Sequence, residues 1–329
     1  MATAVWFPRA RSVEVRDEPI RSPGRDEIRV RAVLSALSHG TEMLVYRGEV
    51  DDYLPLDLPT LAGGYGFPVK YGYASVGRVI EAGPDVTSVR VGDLVFALHP
   101  HQDEYVVPQS LAHRLPDGAT PEAGVFLANL DTAVNVVLDA HPRLGDIVVV
   151  FGQGVVGLLV TQLVRRAGAR VIAIEPAILR RALAERCGAD VALSDAGLAR
   201  SLTEGRGADI AIEASGNPAA LQEALDAVAI EGTVVVCSWY GEKRASLDLG
   251  GGFHRGRVRI ISSQVGRLAP ELTPRWDRER RLALAKRLLP ELHLADLITH
   301  RFPFTRAAEA YALLDEHPSE TVQVVLDYS

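Results

Sequence analysis

The sequence predicts an α/β protein in which a small β-rich domain precedes a doubly wound parallel sheet of six strands. Three observations predict it. In the first 120 residues, Ile28, Val30, Ala32 and Leu34 alternate with Arg29, Arg31 and Val33 in a region of short strands and turns. From about residue 128 continuous apolar strands alternate with helix-forming segments. The first of those strands runs directly into a glycine turn, Gly152-Gln153-Gly154-Val155-Val156-Gly157.

Taken in order, residues 1–127 carry turn signals such as "EAGPDV" and "VGD" between short apolar runs, as a barrel-like domain requires. Residues 128–266 hold the six expected strands "DIVVVFG", "RVIAIE", "DVAL", "ADIAIEA", "GTVVVCSW" and "RVRIISS". Segments such as "LRRALAERCGA" and "NPAALQEALDAVA" supply the helical crossovers. The uncharged run from Ile147 to Val164 approaches the length of a membrane span, but Gly152, Gln153, Gly154 and Gly157 interrupt it. It reads as a buried strand, a turn and a buried helix. Asn217 followed by Pro218 has the form of a helix N-cap and first helical residue. Residues 267–329 read as an amphipathic helix, "DRERRLALAKRLL", then the strand, helix and strand of "LITHRFPF", "TRAAEAYALL" and "TVQVVLDY", and are expected to return to the first domain.

At 329 residues the chain is long enough for two ordinary domains, and 47% hydrophobic with 23% charged residues is the balance of a soluble globular protein. The net charge of −7 and the lack of a basic block leave no electrostatic footprint for nucleic acid. Cys187 and Cys237 are too few for a disulfide framework or a four-cysteine zinc site. The start "MATAVWFPRARSVEV" lacks the apolar core of a signal peptide, so a cytoplasmic protein without a membrane partner is expected.

In the glycine turn, Gly152 permits the tight bend, Gly154 lets a pyrophosphate approach backbone amides, and Gly157 lets helix and strand pack closely. The following helix start favours negative charge. The second strand of the sheet ends in Glu175, 23 residues after Gly152, where a carboxylate accepts hydrogen bonds from adenosine ribose hydroxyls. The cofactor expected is NAD(H), with NADP(H) disfavoured because Glu175 repels a 2′-phosphate. Arg180 and Arg181 are the residues that would favour NADP(H) if the turn bent toward them, and Arg180 would otherwise line the adenosine ribose. The bland alternative is a glycine-rich packing turn with an exposed glutamate.

"HGTE" at 39–42, "YGYASVGRVIEAG" at 71–83, "VGDLVF" at 91–96, "VVVFGQGVVG" at 148–157 and "VIAIE" at 171–175 together resemble the medium-chain dehydrogenase/reductase superfamily over essentially the whole chain. The resemblance implies a GroES-like catalytic domain, a Rossmann domain, chemistry in the cleft between them, and a homodimer. Zinc alcohol dehydrogenases of the superfamily carry a Cys where this chain has His39, a His and a Glu at Tyr73 and Ala74, and a further Cys or carboxylate near Ala128. The four-cysteine lobe is also missing, since "VFALHPHQ" runs straight into "DEYVVP". The chain therefore resembles a zinc-free branch. Within it, "SHGTEMLVYRGEV", "YGYASVG" and "LADLITHR" are similar to dehydrogenases that oxidise a hydroxyethyl group on bacteriochlorophyll precursors.

The same resemblance assigns Thr41 to the position whose hydroxyl relays the substrate proton, Glu42 to an acidic position behind it, His99 to the substrate-pocket lining and Thr132 to a nicotinamide contact. Tyr73 stands at a vacated ligand position, where its phenol would donate to an oxygen that gains negative charge during hydride transfer. A packing tyrosine is the plain alternative. His39 or His99 would be the proton partner. His101 reads as an exposed loop histidine, with a metal site built from His39, His99, His101 or Asp103 as the alternative. Asp131 and Thr132 are expected just before a helix, with Asp131 as its cap. The expected function is a zinc-independent, NAD(H)-dependent oxidoreductase that interconverts a secondary alcohol and a ketone on a small-molecule metabolite larger than ethanol. The alternatives are a quinone or enone reductase and a non-catalytic dinucleotide-binding protein.

Overall fold

The computed structural model describes residues 1–56, 58–61 and 63–329. The chain divides into two compact units, the first comprising Met1–Ala128 and Lys286–Ser329, the second Asn129–Ala285.

The first stretch contributes β1 (Ala2–Trp6), β2 (Glu14–Glu18), β3 (Glu27–Leu37), α1 (Thr41–Arg47), β4 (Ser75–Ala82), β5 (Leu94–Ala97), β6 (Glu104–Pro108), β7 (Ala112–Arg114) and the short helix α2 (Pro121–Gly124). β3 organises this unit. Its period-two pattern buries Ile28, Val30, Ala32 and Leu34 and turns Arg31 outward, while its last residues, Ser35 to Leu37, are all buried. That change of pattern carries the chain inside, so α1 starts within the unit and has Glu42 to Tyr46 buried.

The second unit follows with α3 (Leu127–Ala140), β8 (Ile147–Phe151), α4 (Val155–Arg166), β9 (Arg170–Ile174), α5 (Ile178–Arg186), β10 (Val191–Leu193), β11 (Ala208–Glu213), α6 (Pro218–Ala227), β12 (Val228–Val236), α7 (His254–Gly256), β13 (Arg259–Ser262) and α8 (Arg278–Leu288). The six expected strands form one sheet in the order β10-β9-β8-β11-β12-β13. Every neighbouring pair is parallel. Such a sheet is covered on both faces, which is why its strands read as unbroken apolar runs. The order reverses between β8 and β11, the switch point at which a doubly wound sheet binds its ligand. Asn217 caps α6, its side chain accepting from Ala219 N at 3.1 Å.

The return to the first unit begins at Lys286, not at residue 267 as the sequence suggests. Arg281 gives the reason for residues 267–285. Its buried guanidinium donates to both oxygens of Asp131 at 2.8 Å and to Asn135 Oδ1 at 2.6 Å, both on α3. Breaking such a pair would strand a buried charge.

β14 (Ile298–Pro303), α9 (Ala307–Glu316) and β15 (Gln323–Asp327) complete the first unit. Its main sheet runs β14-β15-β3-β4-β5-β7, with β6 pairing the N-terminal part of β3. β15 lies antiparallel to the other end of β3, matching Leu326 to Ser35 and Val324 to Leu37. α9 thereby packs against α1, where the Tyr311 and Tyr46 rings stack at 5.4 Å and Phe7 meets Tyr311 edge-on at 5.0 Å. No described helix is long and apolar enough to cross a membrane.

Candidate active site

In the second unit, β8 delivers the chain into Gly152 at φ +85°, with its backbone pressed against Ser215 in the loop after β11. A Cβ at Gly157 would stand 1.9 Å from the Gly152 carbonyl oxygen, so no side chain fits there. Gly154 differs: an added Cβ would meet nothing within 4 Å. It is the N-cap of α4, and Leu158 N makes the first helical bond to its carbonyl at 2.9 Å. The amides of Val155, Val156 and Gly157 therefore open the helix without helical acceptors. An open face over such amides suits a phosphate.

The remaining turn residues divide their work. Gln153 turns its side chain inward, donating to Val150 O at 3.2 Å and accepting from Thr161 at 3.0 Å, so it stiffens the turn. Glu175 is buried, not exposed. Its Oε2 accepts from Gln153 N at 2.8 Å and its Oε1 from Ala177 N at 3.0 Å. A carboxylate has about four acceptor sites, so capacity remains for ribose hydroxyls. Arg180 approaches Glu175 Oε2 at 3.9 Å, and burial lowers its pKa against the opposing pull of that charge. Arg181 is committed to backbone, donating to Glu175 O at 2.8 Å and Pro176 O at 2.6 Å.

Glu213 was not singled out in the sequence. At the end of β11 it accepts from Ser215 N at 2.7 Å, Gly216 N at 3.0 Å and Tyr240 Oη at 2.8 Å, shaping the loop that abuts Gly152. The signal was present in "IAIEASG", an acid ending a buried strand before a small-residue turn. Asp131 and Thr132 do not precede a helix; both lie inside α3, and Asp131 serves Arg281 instead of capping. Thr132 is half-buried there.

In the first unit, the turn leaving β3 places Ser38 and His39 just before α1, which begins at Thr41. The Tyr73 phenol lies beside the hydroxyls of both Ser38 and Thr41. Burial, helped by the charge of Glu42, raises the Tyr73 pKa far above the usual phenol value, so the group stays protonated at neutral pH. Thr41 and Tyr73 are thus neighbours, with Ser38, which sequence reasoning missed, beside them. His39 is half-buried in the same turn.

The other two histidines depart from expectation. His99 is buried, stacked on Tyr105 with ring centres 3.9 Å apart, and its Nδ1 donates to Pro100 O at 3.0 Å. Burial holds its pKa down to about 3. A proton partner needs a pKa near the working pH, so this environment does not suit the role expected of His99. His101 is not exposed but fully buried. Its Nδ1 meets Ser35 Oγ at 2.7 Å and its Nε2 meets Glu42 Oε2 at 2.9 Å, an oxygen that also accepts from Tyr311 Oη at 2.8 Å. Ser35 continues the chain to Tyr328 Oη at 2.9 Å. Gly72, at φ +137°, makes room: a Cβ there would lie 2.9 Å from the His101 ring.

A phosphate-ready glycine turn at the switch point of a parallel sheet defines a dinucleotide-binding oxidoreductase architecture. Comparison with known proteins narrows the class. Residues 155–283 match the model of the family described as zinc-binding dehydrogenase. D-guloside 3-dehydrogenase of Escherichia coli K12 is 31% identical over 335 residues, covering 95% of each chain. The 2-desacetyl-2-hydroxyethyl bacteriochlorophyllide A dehydrogenase of Cereibacter sphaeroides is 28% identical, covering 99% of this chain and 98% of its own. The crystal structure of 2R,3R-butanediol dehydrogenase from Bacillus subtilis superposes with a TM-score of 0.81 at 21% identity, covering 100% of both chains. The chain belongs to the medium-chain dehydrogenase/reductase superfamily. It is an alcohol dehydrogenase-like oxidoreductase with a GroES-like β-rich part and a Rossmann sheet.

The residues present fit a dinucleotide and do not fit zinc. For the dinucleotide, the open face at Gly154, the amides that begin α4 and the unused acceptor capacity of Glu175 suffice. For zinc, a catalytic site requires three protein ligands in tetrahedral array. The ring nitrogens of His101 are both engaged, His99 is stacked and bonded to backbone, and Ala74 and Ala128 have no donor side chain. No three His, Cys, Asp or Glu side chains gather into a metal-holding group among the described residues.

Proposed function

We propose that this protein is a zinc-independent, NAD(H)-linked dehydrogenase that interconverts a secondary alcohol and a ketone on a metabolite larger than ethanol. The observation that carries this reading is the placing of the protonated Tyr73 phenol beside the Thr41 and Ser38 hydroxyls, at positions where zinc-dependent relatives bind the reacting oxygen. A bound nicotinamide would supply the hydride chemistry. Tyr73 and Thr41 would hold the substrate oxygen, donating to it as charge develops, in the role a metal plays elsewhere. Glu175 supports a preference for NAD(H), since its buried carboxylate would repel a 2′-phosphate. Thr132 remains the proposed nicotinamide contact, and His39 the proposed neighbour of the substrate oxygen.

Relatives named for the oxidation of a guloside, a hydroxyethyl side chain and butanediol support an alcohol substrate. A homodimer is part of the proposal, supported by the exposed edge strand β13, where Ile260 is 37% exposed. The cytoplasm is the proposed location, supported by a cysteine count of two, too low for a disulfide framework. Reduction with C4-labelled NADH tests the reaction. Label on a carbinol carbon is the expected result, whereas label β to a carbonyl would show an enone reductase. Exhaustive chelation should leave turnover intact. A stoichiometric metal whose removal abolishes it would overturn metal independence.

A further inference from the structure

We propose that Glu213 is a positioning residue for the nicotinamide half of the dinucleotide, fixing the two loops that wall that half of the site; this rests on the reading that a nicotinamide dinucleotide binds at the Gly152 turn. The strand order β10-β9-β8-β11-β12-β13 is that of two mononucleotide-binding halves meeting at β8 and β11. The first half carries the glycine turn and Glu175, which suit the pyrophosphate and the adenosine ribose. The second half is left for the other nucleotide, and Glu213 ends its first strand.

Glu175 and Glu213 occupy matching places and are used differently. Each is buried where a strand flanking β8 ends, and each accepts from a backbone amide of the loop that follows. Glu175 keeps acceptor capacity for a ligand. Glu213 does not: its Oε1 accepts from Ser215 N at 2.7 Å, Ser215 Oγ at 2.6 Å and Gly216 N at 3.0 Å, and its Oε2 from Tyr240 Oη at 2.8 Å. A fully buried carboxylate with about four acceptor sites so filled holds protein and not ligand.

What it holds is a wall of the site. A Cβ on Gly152 would stand 2.6 Å from the Ser215 Cα, so the loop after β11 bounds the glycine turn. Tyr240 belongs to the loop after β12, and its bond to Glu213 ties this second loop to the first. The loops meet twice more: Gly216 N also donates to Ser238 Oγ at 2.9 Å, and Cys237 N donates to Glu213 O at 3.0 Å. Burial and the charge of Glu213 raise the Tyr240 pKa above the usual phenol value, which keeps the phenol a donor at neutral pH. Bonds to an ionised acceptor are the strong ones. Loops fixed before the ligand arrives lose little freedom on binding, so cofactor affinity is where their loosening should show.

The test uses the full-length protein and two probes, NADH and AMP, with NADPH in place of NADH where the parent prefers it. AMP carries the adenosine ribose and a phosphate but no nicotinamide. Glu213→Ala should lower NADH affinity by about tenfold or more and AMP affinity by no more than about twofold. Glu213→Gln, which keeps an acceptor at Oε1, should return NADH affinity to within about threefold of the parent. Three results would overturn the inference: a Glu213→Ala variant with a normal melt and parental NADH affinity, an equal loss for NADH and AMP, or a Glu213→Gln variant as weak as Glu213→Ala. If Glu213→Ala does not fold, Tyr240→Phe decides, since it keeps the ring and removes only the bond. NADH affinity lowered at least about threefold with AMP affinity unchanged supports the inference, and parental NADH affinity overturns it. A parent that binds AMP but neither NADH nor NADPH fails the dinucleotide reading itself; a parent that binds NADH beside an unimpaired Glu213→Ala fails this inference alone.

Discussion

The glycine turn of the second unit and the hydroxyl cluster of the first are built by opposite means. In the turn, the features that suit a ligand are backbone amides between residues 152 and 157 and one carboxylate shortly afterwards. In the cluster they are side chains: Glu42 meets His101 across 59 residues and Tyr311 across 269. A site made of backbone constrains its own sequence locally, because at Gly152 and Gly157 only glycine fits. A site made of side chains is held by strands and helices whose pairing no short stretch encodes.

That difference is testable within the turn first, where the largest effect is expected. Gly157→Ala puts a methyl 1.9 Å from the Gly152 carbonyl and should abolish NADH binding together with the cooperative melt of the second unit. Gly154→Ala has φ −71° and open space, so its melt should match the parent while NADH affinity falls at least about tenfold. Normal NADH binding by Gly154→Ala would mean that the turn packs the fold and does not bind the cofactor.

The cluster is probed next. Tyr73→Phe keeps the ring and Thr41→Val keeps the shape, so each should lower kcat by about a hundredfold, ~3 kcal/mol, with NADH affinity unchanged. Near-parental turnover in both, with chemistry rate-limiting, would move the reacting oxygen away from these hydroxyls. A smaller effect is expected at Glu175. Glu175→Ser should narrow the preference for NAD(H) over NADP(H) by about tenfold. It should also lower the melting temperature, because the carboxylate holds the Gln153 and Ala177 amides. Equal affinity of the parent for both cofactors would remove the role assigned to that charge.

Much of this was legible beforehand, and the misses share a cause. The six strands, the Gly152 to Gly157 turn and the Asn217 cap each follow from a local rule of periodicity or dihedral angle. The Thr41 and Tyr73 meeting was reached through resemblance and not through spacing. His101 read as a loop histidine because "HPHQD" is polar; its burial depends on Gly72, 29 residues earlier, leaving room for the ring. Arg281 read as the polar face of a helix, and only its meeting with Asp131 and Asn135 shows why residues 267–285 stay with the second unit. Glu42 read as an acidic position behind Thr41, and its partner His101 lies 59 residues away on another loop.

His99 provides the last and, at neutral pH, the smallest test of the same contrast, since it looked functional by position and is held as a neutral ring. Burial lowers its folded pKa to about 3 from an ordinary 6.5. Between those values the unfolded chain binds a proton that the folded chain refuses, so stability from this residue is fully present above about pH 6.5 and drains away as pH falls toward 3. Across the whole window the loss amounts to at most about 5 kcal/mol. His99→Gln keeps a donor for the Pro100 carbonyl but carries no titrating ring. At pH 7 it should cost about 1 kcal/mol through the lost stacking on Tyr105. Below about pH 5 it should become the more stable of the two, because the parent alone pays to refuse the proton. Melting curves for both proteins from pH 7 to pH 4 check this. Parallel curves with no crossing would show that the ring is hydrated and free to charge, and would return His99 to the list of proton partners for the reaction.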